Sequence, residues 1–93
     1  MSISKEDNEL LEYYNAPNEE TCKALIKEYD REHKTTWSNT DFILNKLLNK
    51  FISDVKSPLV NDYRRTDVIE IYDINENGDI TLYLNGNFYT NII

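Results

Sequence analysis

The chain has one cysteine, Cys22, which excludes an internal disulfide. With a single histidine beside it, a structural zinc site also lacks ligands. A reducing compartment is the expectation. Two glycines and two prolines leave no room for a long flexible linker or a low-complexity segment. No apolar run approaches the length of a membrane span, and the opening MSISKEDNELL has no apolar core of a secretory signal. These absences point to the cytoplasm. There is no glycine-rich phosphate loop, serine elbow or His-Glu metal motif, so the chain reads as non-catalytic. The last 27 residues, 67–93, contain five acids and no base at all.

The 93 residues that remain to be explained fit one domain, and 40% apolar content is enough to give it a core. Seven tyrosines dominate the aromatics, a residue type that serves core edges and interfaces equally well. The net charge of −7 is uneven: residues 1–33 carry −5, residues 34–66 carry +3 and residues 67–93 carry −5. An acidic surface of this kind is repelled by nucleic acid and anionic membranes and attracts a basic protein surface. The plain alternative is that the charge serves solubility.

Periodicity marks the organising element as a helix ending at Lys56. Leu44, Leu47, Leu48, Phe51, Ile52 and Val55 recur at steps of three and four, with Asn45, Lys46, Asn49, Lys50, Ser53 and Asp54 opposite. Ser38 is the expected N-cap, Asp41 completes a variant capping box, and Trp37 with Phe42 forms a hydrophobic staple. Pro58 stops the helix. Upstream, Ser4 caps a first helix over Lys5–Tyr14, and Asn18 caps a second that runs to His33-Lys34. Ser57 to Arg65 reads as a further short helical turn.

From Asp67 the period changes to two. Strands are predicted over Asp67–Ile74, Asp79–Leu84 and Phe88–Ile92, with Asn75-Glu76-Asn77-Gly78 and Asn85-Gly86-Asn87 as turns. Ile69, Ile71, Ile80, Leu82 and Leu84, joined by Phe88 and Ile92 if the second loop has three residues, form the face expected against the helices. Val68, Glu70, Tyr72, Thr81, Tyr83 and Tyr89 form the other. The expected fold is thus a single α+β domain over 1–93, three to four helices packed on a C-terminal three-stranded antiparallel meander.

Three constellations carry possible chemistry. Asp73 to Thr81, DINENGDIT, resembles the first nine positions of an EF-hand calcium loop, which implies calcium as a cofactor. The twelfth position is Leu84 and the flanks read as strands, which favours an ordinary hairpin and no cofactor. Cys22 and His33 lie eleven residues apart on one predicted helix, roughly 16 Å by the helical rise, too far for a nucleophile and its base. Three helices and a hairpin also match the element order of a winged helix, in which Lys46, Asn49 and Lys50 would read DNA. The acids of the predicted wing would repel that DNA.

The reading that follows is a non-catalytic, acidic protein-binding module. It would block the basic nucleic-acid site of a nucleic-acid-binding protein through Glu70, Tyr72, Asp73, Glu76, Asp79, Tyr83 and Tyr89. It would not itself bind nucleic acid or membrane, and homodimerisation through the tyrosine face is a third possibility. In class, though in no quoted motif, the chain resembles the small acidic inhibitors with which phages and mobile elements disarm bacterial defence enzymes.

Overall fold

A computed structural model describes residues 3–57 and 64–93. The first helix, α1 (Lys5–Tyr13), begins where Ser4 accepts a hydrogen bond from the Asp7 N–H at 3.1 Å. It ends in a Schellman turn. Asn15 takes a left-handed conformation (φ 55°), and the Ala16 N–H reaches back to the Leu11 carbonyl at 2.9 Å. The second helix, α2 (Glu19–His33), is capped by Asn18, whose side chain accepts from the Thr21 N–H at 3.0 Å. Both caps lie where local chemistry predicts them.

The third helix, α3 (Asp41–Lys56), starts two residues later than the Ser38 cap implies, with Thr40 in the N-cap position. Trp37–Asn39 is instead a separate 3-10 turn, and Ser38 donates its N–H rather than accepting one. The acceptor is Asp30, near the end of α2. Its carboxylate takes the Thr35 hydroxyl, the Trp37 N–H at 3.0 Å and the Ser38 N–H. Asp30 thus takes the Ser38 N–H that the capping box would have given to Asp41, and the Thr40 N–H turns back to the Trp37 carbonyl at 2.9 Å, closing the 3-10 turn ahead of α3. The Trp37 and Phe42 rings still meet edge to face, 6.4 Å apart. Ser57 closes α3 in an extended conformation, as a residue before proline should. The further helical turn expected over Ser57–Arg65 falls on residues 58–63, outside the described residues.

Helix α3 is the centre of the fold. Ile43, Leu44, Leu47, Leu48, Phe51 and Val55 are buried, and α1, α2 and the sheet all pack around it. Strands β1 (Ile69–Ile74), β2 (Ile80–Leu84) and β3 (Asn87–Ile92) form the expected antiparallel meander in the order β1-β2-β3. Its inner face contributes Ile71, Ile74, Ile80, Leu82 and Ile92 to the core.

Two bulges change which side chains face inward. In β1, Ile71 pairs with Leu82 and Asp73 with Thr81, which leaves Tyr72 as the extra residue. The added step returns Ile74 to the core opposite Ile80. Asn85-Gly86 is a two-residue turn with both φ angles positive, at 52° and 82°. It pairs Leu84 with Asn87 and Tyr83 with Phe88, so Phe88 stands on the outer face, 61% exposed, and not in the core. A second bulge at Tyr89 then brings Ile92 opposite Ile80. Tyr89, expected outside, packs against the core and donates its hydroxyl to Asp54 of α3.

Candidate protein-binding face

Because every helix lies on the inner side, the outer face of the sheet has no layer over it among the described residues. Pairing sets its rows. Glu70 of β1, Tyr83 of β2 and Phe88 of β3 form one row, and Asp73, Thr81 and Asn91 form the next. Tyr72, the bulged residue, packs its ring on Tyr83. The two rings lie parallel within 4°, with centroids 4.4 Å apart. Tyr72 remains 57% exposed and Val68, at the start of β1, 62%. Val68, Tyr72 and Phe88 thus place apolar area on one exposed sheet face, the kind of surface an interaction site uses.

The acids differ in how free they are. Glu70 and Glu76 are exposed and engage no group among the described residues. Asp73 is exposed too, but one of its oxygens accepts the Tyr29 hydroxyl at 3.1 Å. That hydroxyl in turn accepts the Ile74 N–H. Burial pushes the Tyr29 phenol up, and the neighbouring Asp73 adds to the shift. Asp67 takes the Arg64 N–H at 3.0 Å and the Asn85 amide, which hold its carboxyl below the usual range. Asp79 is drawn beneath the hairpin toward Lys46, 3.5 Å away, and accepts the Asn75 amide at 3.0 Å.

Of the residues singled out from sequence, Glu70, Tyr72 and Tyr83 therefore form one cluster, with Asp73 beside it and Glu76 at the hairpin tip. Asp79 sits at the hairpin's underside, and Tyr89 belongs to the opposite face. Phe88 was missed as a surface residue because its side depends on the length of the turn before it.

The calcium-like loop is an Asx turn. Asn75 accepts the Asn77 and Asp79 N–H groups at 2.9 and 3.0 Å, and Gly78 sits at φ 77°. Among the described residues, no three His, Cys, Asp or Glu side chains are grouped to hold a metal. The lysines of the winged-helix reading are likewise engaged. Lys46 donates to the Gly78 carbonyl at 3.0 Å and Lys50 pairs with Asp54 at 2.9 Å, while Lys56 pairs with Asp7 at 2.7 Å. The basic middle of the chain is thus partly neutralised by acids from both ends. Cys22 is fully buried, and burial pushes its thiol up to about 12, with the Glu19 charge adding to the shift. His33 stacks on Tyr29 at 4.0 Å and bonds the Tyr29 carbonyl at 3.0 Å. No nucleophile and base meet at either residue.

Among the described residues no helix is long and apolar enough to cross a membrane. No protein-family model matches the chain, and neither does any curated protein or solved structure.

Proposed function

We propose that this chain is a non-catalytic protein-binding module, a small inhibitor whose outer sheet face occupies the basic nucleic-acid site of a nucleic-acid-binding protein. The observation that carries the reading is the uncovered face itself. Stacked Tyr72 and Tyr83, exposed Phe88 and Val68, and Glu70, unpaired among the described residues, lie together on a segment, 67–93, that contains no base. Aromatic anchors give an interface affinity when their apolar area is desolvated. The surrounding carboxylates steer a cationic site toward them and repel phosphate. An inhibitor of this kind acts by occupancy, so it needs no catalytic group of its own. Inhibitors that phages and mobile elements direct at host defence enzymes work in this manner, which makes such an enzyme the partner class to test first.

The experiment is capture followed by challenge. The immobilised protein is exposed to host lysate and the bound protein is then challenged with duplex DNA and RNA. A nucleic-acid-binding protein released by nucleic acid, and no longer retained by a Glu70→Lys, Asp73→Lys, Glu76→Lys variant, is the expected result. A partner indifferent to both the nucleic acid and the charge reversal removes the reading.

A further inference from the structure

Resting on that reading, the geometry points to the group the face recognises: an arginine side chain of the partner, in preference to lysine. The Tyr72–Tyr83 pair presents parallel rings, 4.4 Å apart and within 4° of coplanar orientation, at the surface. A planar, weakly hydrated guanidinium can join such a stack as a further plate. A lysine ammonium is a compact, strongly hydrated point charge and cannot. Glu70 is the register partner of Tyr83, so its Cα lies across from the ring that forms the inner plate. It is exposed and engages nothing among the described residues, which leaves both oxygens for the forked hydrogen bonds a guanidinium makes. Asp73 adds negative charge in the next row, and no cation on 67–93 competes for either acid.

The bulge at Tyr72 has a role here. In an unbulged strand Tyr72 would pair with Thr81, one row on from Glu70 and Tyr83. In the bulge Asp73 pairs with Thr81 instead, and Tyr72, the extra residue, lies with its ring against Tyr83. Bulges commonly re-aim a side chain at a functional surface. Nucleic-acid bases also stack on exposed tyrosines, but the carboxylates of Glu70 and Asp73 beside these rings repel the phosphates that accompany bases.

The test uses nona-arginine and nona-lysine peptides as probes, with fluorescence anisotropy as readout and oligothymidylate as a third probe. Tyr72→Leu keeps apolar bulk while removing the aromatic plane, and Glu70→Gln keeps shape while removing charge. The arginine peptide should bind about tenfold more tightly than the lysine peptide, equivalent to about 1.4 kcal/mol. Tyr72→Leu should reduce arginine binding to the lysine level and leave lysine binding unchanged, and Glu70→Gln should weaken both. Equal binding of the two peptides, or an arginine preference that survives Tyr72→Leu, overturns the arginine inference but leaves an acidic blocking face in place. Binding of neither peptide, or of oligothymidylate instead, overturns the inference and the proposed function together. Circular dichroism of each variant checks that the fold is intact, as expected for exposed positions.

Discussion

Replacing Asp30 with alanine should remove the clasp that joins α2 to the 3-10 turn and, through it, to α3. The carboxylate is 7% exposed and receives the Thr35 hydroxyl at 2.5 Å, the Trp37 N–H at 3.0 Å and the Ser38 N–H. A hydrogen bond to a charged group contributes about 1.5–3 kcal/mol. Thr35 and Trp37 are half-buried and Ser38 is exposed, so water recovers part of the loss. We expect Asp30→Ala to cost about 3 kcal/mol, a fall in Tm of roughly 15 °C for a domain of this size. Asp30→Asn keeps one acceptor oxygen and should cost about half as much. The effect should also depend on pH. Burial pushes the Asp30 carboxyl up, but the hydrogen bonds from Thr35, Ser38 and Trp37 outweigh it and hold the group below its ordinary value of 3.8. A carboxyl depressed on folding contributes stability that is complete above its unfolded value and disappears as pH falls through the folded one. The gap between the wild type and Asp30→Asn should therefore be full near neutrality and close below 3.8. Urea unfolding followed by tryptophan fluorescence measures both, since Trp37 sits in the clasp. An Asp30→Ala protein within about 0.5 kcal/mol of wild type, or a gap that does not narrow in acid, refutes the reasoning.

Two further outcomes follow from packing. At Gly78 (φ 77°) a Cβ would lie 2.8 Å from Phe42 Cζ, closer still to Cε2, and 3.2 Å from Ile43 Cδ1. Gly78→Ala should destabilise by about 2–3 kcal/mol, whereas Gly86→Ala, equally left-handed but with nothing nearby, should cost only about 1 kcal/mol. Similar losses at the two sites in chemical denaturation would show that Phe42 does not press on the hairpin. Cys22, buried and with its thiol pushed up to about 12, should resist a thiol-reactive dye at neutral pH until the protein unfolds. Labelling at the rate of a free thiol in the native state would contradict that burial.

What the sequence determined by itself about this protein is its local structure. Ser4 and Asn18 cap their helices because each partner N–H lies three residues away, within reach whatever the rest of the chain does. Gly78 turns the first hairpin and Asn85-Gly86 the second because positive φ is readily adopted by those residue types, and the apolar stripe of α3 is legible because 3.6-residue periodicity is local too. Two elements close in sequence still escaped this logic. The start of α3 shifted because Asp30, eleven residues before Asp41, takes the Ser38 N–H that Asp41 was expected to accept and fixes Trp37–Asn39 as a separate turn. The sides of Phe88 and Tyr89 exchanged because a two-residue turn and one bulge move the alternation by a step.

Only the tertiary structure decided which charged and aromatic groups are available at the surface. Lys46 meets the hairpin, Lys56 meets α1, and Asp79 is held below the turn, whereas Glu70 is left open beside Tyr72 and Tyr83. Composition shows that the ends of the chain are acidic and its middle basic. Which carboxylates remain uncompensated depends on distances between residues far apart in the chain, and those exist only after α3 has gathered the helices on one side of the sheet and, among the described residues, left the other side bare.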